Sequence, residues 1–243
     1  MKTIIRFFII LFAINTCFAE DPYRTELDSF IQNIHWFGQS TVKINANDKT
    51  IYIDPYRIQK TDSADIILIT HDHRDHLDPL SIAKILTSQT IIVAPASCKE
   101  KIQELAAKKV VYFTPREEKK IDNILIESVP AYNIKKKRFH PKSKNYLGYI
   151  ITIDGIRIYH AGDTERIPEM KKFQCDIAFM PLGQTYTMNS VKEASEAVLN
   201  VKAKIAIPIH FGLYEGSIDD AIEFQKLLNG KVKVIILPDE SVE

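Results

Sequence analysis

The stretch Ile66-Ile67-Leu68-Ile69-Thr70-His71-Asp72-His73-Arg74-Asp75-His76 decides how this chain is interpreted. It begins with an apolar run rich in Ile, which predicts a short buried strand. The rest carries three His and two Asp on the loop that leaves the strand, where a rigid scaffold can hold several polar side chains around one point. Neutral imidazole and carboxylate are the usual protein ligands of zinc and similar divalent ions. The stretch therefore favours a metal site over an ordinary solvated loop.

Two later segments also place a ligand-type side chain just past a predicted strand. Gly162 precedes Asp163 and lets the backbone bend, so that the carboxylate can turn into a site. His210 follows the apolar run Ile205–Ile209 and, taken alone, would more often be structural. His160 lies on the strand before Asp163, where we expect a core or supporting histidine and not a ligand.

The order His71-Asp72-His73-Arg74-Asp75-His76 resembles the His-x-His-x-Asp-His signature of the metallo-β-lactamase superfamily. Segments 35–40, 53–55 and 162–164 resemble further motifs of that family, although many members have His where this chain has Gln39. The likeness is greatest to a branch of small metal-dependent hydrolases that includes the ascorbate-phosphate lactonase and relatives of N-acyl-phosphatidylethanolamine phospholipase D. It implies an α/β fold, a four-layer αββα sandwich formed as one domain by residues 20–243, with metals at one edge between the sheets.

The resemblance also implies a centre of two ions. Its side chains divide into a pair for the first ion, three for the second and a carboxylate between them: His71 and His73; Asp75, His76 and His210; and Asp163. Asp75 would also be the catalytic residue that orients the attacking hydroxide and receives its proton. The ligand histidines need partners on their second ring nitrogen, for which Asp54, Asp72 and Thr164 are candidates.

One ligand of the family pattern is missing from its usual place. Members carry a His after the strand that ends near Val129, where this chain has Asn133. An amide oxygen is a hard donor that suits calcium or magnesium better than zinc. His140 lies on the same polar loop, and we expect it to complete the first site, with Asn133 as a hydrogen-bonding group beside it. The alternative is that Asn133 is the ligand and His140 an exposed loop residue.

Two loops are candidates for substrate contact. The segment 181–188 resembles a pocket-lining loop of this branch, in which Tyr186 and Met188 would form an apolar wall with one hydroxyl; Asn133 would join them, and a purely structural loop is the alternative. The segment 130–148 carries the run Lys135-Lys136-Lys137-Arg138. It predicts either a solvated surface loop or a lid that attracts an anionic substrate.

These patterns together predict a zinc-dependent hydrolase that binds one or two ions, with manganese or iron as alternatives. A metal-bound hydroxide would cleave an ester-type bond in a small molecule: a lactone, a phosphodiester or an amide. A second hypothesis is an iron enzyme similar to persulfide dioxygenases, and a third is a non-catalytic metal-binding module. With a formal net charge of +1, the chain has no basic field to suggest nucleic acid.

Residues 1–19 differ in kind from the rest. Lys2 and Arg6 precede an apolar run, and Cys17-Phe18-Ala19 has small residues, Cys17 and Ala19, at the two positions that a signal peptidase reads. We therefore expect a signal peptide that directs the protein to the periplasm or outside the cell without a stable membrane anchor. Cys98 and Cys175 lie next to apolar segments and are expected as buried free thiols, although a disulfide stays open.

Alternation and cap residues predict the remaining elements. Strands are expected at 34–37, 41–45, 50–53, 66–69, 90–94, 110–113, 121–129, 149–153, 156–159, 176–181, 205–209 and 232–237. Helices are expected at 79–87, 97–108, 190–200 and 218–228, with Ser97 and Ser190 as possible N-caps. Asp154-Gly155 predicts a tight hairpin turn.

Overall fold

The structure is a computed structural model that describes residues 22–59 and 62–241. The predicted signal peptide, with Cys17, lies outside the described residues. Within them no helix is long and apolar enough to cross a membrane. Cys98 and Cys175 are both buried and free, as the apolar surroundings of each predict.

The described chain forms five α-helices and thirteen strands. The helices are α1 (Pro22–Phe30), α2 (Pro79–Ile85), α3 (Lys99–Ile102), α4 (Val191–Asn200) and α5 (Ile218–Leu228). The strands are β1 (Ile34–Trp36), β2 (Val42–Ala46), β3 (Lys49–Ile53), β4 (Ile66–Leu68), β5 (Ile91–Pro95), β6 (Lys109–Phe113), β7 (Glu118–Ile121), β8 (Ile124–Pro130), β9 (Leu147–Ile153), β10 (Ile156–His160), β11 (Ile177–Pro181), β12 (Ile205–Ile209) and β13 (Lys233–Val234).

The strands form two sheets, and in each sheet hydrogen-bonded neighbours are consecutive in sequence. The first has the order β1-β2-β3-β4-β5-β6 and the second the order β13-β12-β11-β10-β9-β8-β7. Each sheet starts as an antiparallel meander and continues with parallel strands. Parallel strands bring their carboxyl ends, and the loops that follow them, to one edge of the sheet.

The core lies between the two sheets, with helices outside. In β3 the side chains of Ile51 and Ile53 face the second sheet, whereas Tyr52 between them faces the layer that holds α2. On the far side, α4 and α5 bury apolar faces that include Val198 and Phe224 against the second sheet. This arrangement confirms the predicted αββα sandwich.

One predicted cap and one predicted turn agree with the structure, and Ser217 is a cap that was not predicted. Ser190 caps α4 by accepting from the backbone N–H of Glu193, and Ser217 caps α5 in the same way. Asp154 and Gly155 both have positive φ and form the turn between β9 and β10. The other predicted ends lie within two residues of the observed ones, and about half of them coincide.

Three element predictions are wrong. The strand predicted at 121–129 is the hairpin of β7 and β8, because Asp122 and Asn123 take positive φ and turn the chain. The helix predicted at 97–108 is a short 3₁₀ turn followed by α3, and the Ser97 side chain caps neither. The strand predicted at 232–237 pairs only at β13. Ala206 of β12 accepts from the N–H of Ile235, but Pro208 would face the same neighbour and has no N–H.

Candidate metal centre

Four loops bring the predicted ligands together at the edge where the parallel strands end. The loop after β4 carries His71, His73, Asp75 and His76. The loops after β8, β10 and β12 carry His140, Asp163 and His210 respectively. The cluster therefore draws on both sheets, as the family resemblance implies.

Three histidines form the first of three ligand groups. His71, His73 and His140 each offer a ring nitrogen within 4.8 Å of the others. His71 Nε2 lies 3.0 Å from His73 Nδ1, and His140 Nε2 lies 3.3 Å from Asp163 Oδ2. The structure thus brings His140, and not the carboxamide of Asn133, to the position beside the two motif histidines.

The other two groups share His76 and meet at Asp163. One comprises His71, His76 and Asp163, and the other comprises Asp75, His76 and His210. The two oxygens of Asp163 lie 3.3 Å from His76 Nε2 and 3.2 Å from His210 Nε2. This carboxylate therefore contacts ligand atoms of every group, which is the geometry of a bridging ligand.

Asp54 orients two of the histidines from beneath. Its carboxylate is fully buried, lies 2.8 Å from His76 Nδ1, and accepts from both the N–H and the hydroxyl of Thr70. Since the Thr70 hydroxyl gives its proton to Asp54, it accepts from His71 Nδ1 at 2.9 Å. These contacts fix both ring orientations, so that the Nε2 atoms point into the cluster. Of the three residues predicted to support the ligand histidines, only Asp54 is hydrogen-bonded to one of them. Asp72 instead accepts from the Tyr146 hydroxyl, and the Thr164 hydroxyl donates to the carbonyl of Tyr132.

Glu215 holds the ring of His210. Its Oε1 lies 3.0 Å from His210 Nδ1, and its Oε2 accepts from the backbone N–H groups of Thr185 and Tyr186 at 2.7 Å each. The carboxylate is packed against Gly183, where a Cβ atom would fall 1.7 Å from Oε1. One buried carboxylate therefore fixes both the ligand histidine and the loop 183–188.

Glu165 holds the loop that carries His140. Its carboxylate accepts from three successive backbone N–H groups, those of Ile134, Lys135 and Lys136, at 2.8–2.9 Å. The Lys136 ammonium ties the same loop to the next by donating to the carbonyls of Gln184 and Met188 at 2.8 Å. The loop is thereby ordered by groups outside the cluster.

The lysine run does not form the wall of the site. Lys136 is used in the contacts just described, and Lys135 and Lys137 are exposed. Arg138 stacks on the ring of Phe139 at 4.4 Å. Among the described residues that line the cavity over the cluster, the cationic side chain is Arg74.

Electrostatics at the cluster are dominated by the buried carboxylates. Burial raises the pKa of Asp163, but the facing imidazoles of His210 and His76 outweigh it and hold that pKa well below its usual range. Burial opposes the charge on His210, yet Asp163 and Glu215 raise its pKa to about 10. Burial, with neighbouring imidazoles, lowers the pKa of both His71 and His73. Burial lowers the pKa of His76, but Asp163, Asp75 and Asp54 outweigh it and hold that pKa well above its usual value. The buried carboxylates thus favour positive charge at the cluster, which suits a cation.

Buried polar atoms without hydrogen-bond partners also indicate that the cluster holds a metal. His76 Nε2, His140 Nε2 and Asp163 Oδ1 are buried, point into the cluster and make no hydrogen bond. Buried polar atoms normally find partners, so three such atoms converging on one point indicate a ligand. Imidazole nitrogens and a carboxylate oxygen are the donors that zinc and its neighbours in the periodic table accept.

A cavity of about 340 Å³ opens over the cluster. Its floor consists of His73, Asp75, His140, Asp163 and His210, and its walls are mainly aromatic: Tyr56, Phe139, Tyr186 and Tyr214. The hydroxyls of Tyr56 and Tyr214 are hydrogen-bonded to each other, and the rings of Phe139 and Tyr186 meet edge to face at 4.8 Å. A larger groove of about 830 Å³, between α1 and α5, lies away from these groups.

Of the three residues predicted to contact substrate, only one lines the cavity. Tyr186 lines the cavity, whereas Met188 is fully buried in the core and Asn133 is buried behind His140. Asn133 Nδ2 donates to the carbonyl of Tyr186 at 2.7 Å and lies 3.3 Å from His140 Nδ1, which is the supporting position expected of it. His160 is buried outside the three ligand groups, with Nε2 3.0 Å from the carbonyl of Ser40.

Several residues at the site were not found from the sequence. Glu165 and Glu215 are isolated acidic residues whose partners lie about 30 positions away, and Tyr146 contacts three histidine rings without belonging to a motif. Tyr56 follows the Asp54-Pro55 motif directly, and Tyr214 follows His210 closely. That proximity was the available signal for the two tyrosines.

Comparison with known proteins agrees with this geometry. The family described as the beta-lactamase superfamily domain matches residues 33–210. A UPF0173 metal-dependent hydrolase of Pyrococcus furiosus is 35% identical over 228 residues, covering 86% of this chain and 98% of that protein. The crystal structure of a candidate metal-dependent hydrolase from Parabacteroides distasonis shares 33% identity and a TM-score of 0.75, covering 84% and 91% of the two chains. Igni18, a metallo hydrolase of Ignicoccus hospitalis, shares the fold at a TM-score of 0.71 and 24% identity, covering 85% and 94%.

The chain therefore belongs to the metallo-β-lactamase superfamily. Within that superfamily it is a metal-dependent hydrolase, similar to the UPF0173 proteins over most of its length.

Proposed function

We propose that the protein is a zinc-dependent hydrolase with two metal positions. The observation that carries this proposal is the convergence of His71, His73, Asp75, His76, His140, Asp163 and His210 at the floor of one cavity. The three-histidine group would hold the first ion, and three imidazoles suit zinc. Asp75, His76 and His210 would hold the second ion, and Asp163 would bridge the two.

Each bound ion would act as a Lewis acid and lower the pKa of water from about 16 to about 7. The protein supplies the rest. Asp54 and Glu215 hold His76 and His210 in one orientation, as their contacts at 2.8 and 3.0 Å require. Asp75 lines the cavity, and its side chain is one-quarter exposed, so that its carboxylate can accept a proton from an attacking water.

The substrate we propose is a small molecule with a flat apolar portion and an ester-type bond. A cavity of about 340 Å³ is at the small end of ligand pockets, and four aromatic side chains form its walls. Arg74 at the rim could pair with one anionic group on the substrate. The bond class — lactone, phosphodiester or amide — is the part to be tested.

Metal analysis combined with a substrate screen tests the proposal. Protein purified without added chelator should contain one to two equivalents of zinc and hydrolyse members of a panel of aryl esters, aryl phosphodiesters and lactones. Removal of the metal should abolish turnover, and zinc should restore it. Iron at both positions with no zinc bound, or turnover that survives complete metal removal, would contradict the proposal.

We also propose that residues 1–19 direct export and are then removed. The charged start and apolar run support this, and the family match begins only at residue 33. Mass spectrometry of the exported protein should find Glu20 at the new N-terminus. An intact Met1, or a lipid on Cys17, would exclude it.

A further inference from the structure

Gln39 lies within the ligand set of the second metal position. Its side-chain Nε2 donates to Asp75 Oδ2 at 2.8 Å and lies 2.9 Å from His210 Nε2, both of them ligand atoms in the proposed function. The residue is only 2% exposed, and its Oε1 is buried without a hydrogen bond. An unpaired buried oxygen at this place needs an explanation.

The backbone of Gln39 is fixed so that its side chain points to the cluster. The residue occupies the turn between β1 and β2 with φ of +45°, a region that non-glycine residues seldom adopt. Its carbonyl accepts from the backbone N–H of His210 at 2.7 Å and from Trp36 Nε1 at 2.9 Å. Because one of these bonds comes from His210 itself, Gln39 and that ligand are held in register.

The distances correspond to those between neighbouring ligands of one ion. With metal–ligand bonds near 2.1 Å, adjacent ligand atoms are about 3.0 Å apart in an octahedron and about 3.4 Å apart in a tetrahedron. The position that the amide nitrogen of Gln39 occupies is therefore at the spacing of a further octahedral ligand. Rotation of the amide by 180° about its last torsion exchanges nitrogen and oxygen with little change in shape.

We propose that Gln39 supplies its amide oxygen as a further ligand to the second metal position. That position would then have two imidazole nitrogens, from His76 and His210, and oxygens from Asp75, Asp163 and Gln39. An oxygen-rich set with more than four ligands favours manganese(II) or iron(II) relative to zinc, whereas the three-histidine position favours zinc. Gln39 thus makes the two positions chemically unequal. This inference rests on the proposed two-metal site.

Metal titration of the stripped full chain tests it. Binding of manganese(II) and zinc(II) is measured by calorimetry, with electron paramagnetic resonance to count free manganese, in wild type, Gln39→Met, Gln39→Glu and Gln225→Met. Gln39→Met keeps the length but removes the oxygen, so manganese affinity at the second position should fall about tenfold or more while the first zinc equivalent is unchanged. Gln39→Glu keeps an oxygen and should retain manganese binding even though it cannot donate. Gln225→Met, on the exposed side of α5, should behave as wild type.

Each result has a definite meaning. Equal manganese affinity in wild type and Gln39→Met overturns the inference while leaving the two-metal function intact. An equal loss in Gln39→Glu means that the amide acts by donating hydrogen bonds, which also overturns it. If wild type binds no second equivalent, the two-metal function fails and this inference fails with it. In a manganese-loaded crystal, Gln39 Oε1 should lie within bonding distance of the ion; Nε2 in that place would refute the assignment.

Discussion

His140 completes the three-histidine group of the proposed first metal position. Replacing it by Ala removes one of three imidazoles, so we expect metal affinity at that position to fall by about 100-fold or more and turnover to fall with it. Asn133→Ala should keep the metal, because its amide bonds Tyr186 and not the cluster. Metal content after dialysis, measured by mass spectrometry, checks both.

The matched control for this pair is His35→Ala. His35 is a partly exposed histidine that contacts Glu240 at 3.0 Å and does not line the cavity, and its loss should leave metal content unchanged. Full metal content in His140→Ala, or loss of metal in Asn133→Ala, would reverse the assignment of the third ligand.

The members of the cluster that could be predicted from sequence are those with local context. His71, His73, Asp75 and His76 sit in one short motif, and Asp163 and His210 each follow a recognisable strand. The choice between His140 and Asn133 could not be made from spacing, because it depends on how a ten-residue loop folds. The roles of Glu165 and Glu215 could not be predicted for the same reason, since their partners are backbone N–H groups of a loop about 30 residues away.

The loop 131–140 is shaped by a single buried carboxylate. Glu165→Gln leaves one acceptor oxygen where three N–H groups converge, so we expect a loss of about 1–3 kcal/mol in the free energy of unfolding. We also expect weaker metal binding at the first position, because His140 ends this loop. Chemical denaturation and metal titration of the same sample measure the two effects.

Glu118→Gln, on the exposed edge strand β7, is the control for the charge change. A Glu165→Gln protein with normal stability and normal metal affinity would show that the loop holds His140 without this anchor.

The segment 183–188 is shaped by the contact between Gly183 and Glu215. Gly183→Ala would place a methyl group where the carboxylate now lies, so Glu215 must move away from His210. We expect the second metal equivalent to bind about tenfold or more weakly, with the first unaffected. The measurement is a two-site metal titration.

Gly155→Ala provides the comparison, since a Cβ there meets nothing within 4 Å. Its positive φ costs some stability, but its metal affinities should match wild type. Unchanged binding of both equivalents in Gly183→Ala would mean that Glu215 does not position His210.

Elements with a strong local signal could be predicted, and those decided by partners could not. Helices α4 and α5 have a serine cap and a regular apolar face. The short α3 and the edge strand β13 are limited by what lies next to them, and the missing N–H of Pro208 is invisible in the sequence of β13 itself. The turn at Asp122-Asn123 was readable, but the unbroken alternation around it hid the hairpin.

On the scale of the whole molecule, Asp176 joins the starts of three neighbouring strands. It accepts from the N–H of Arg157 at 2.9 Å and pairs with Lys204 at 2.9 Å. Burial raises its pKa, but these partners outweigh burial and lower it below the usual value. A depressed folded-state pKa adds stability that is fully present above about pH 4 and is lost as the pH falls through the folded value.

Asp176→Asn should therefore cost about 1–3 kcal/mol of unfolding free energy at pH 7, and the difference from wild type should shrink below about pH 4. Denaturation curves across pH 3–7 measure it, with Asp48→Asn in an exposed turn as the control. A difference that is constant with pH would show that the carboxylate charge is not the cause.

The sequential strand order also bears on how the chain refolds. In each sheet, every strand pairs with the strand next to it in sequence, so either sheet can form by closing short loops. The first sheet spans residues 34–113 and the second spans residues 118–234. The ion cannot take part at that stage, because its ligands are divided between the halves: the first motif comes from one, and His140, Asp163 and His210 come from the other. Refolding with a chelator present should therefore recover secondary structure at the normal rate, and the ion should be captured only after the two apolar sheet faces have docked. Until then those faces are exposed, so aggregation in this interval should depend on protein concentration and not on the supply of metal.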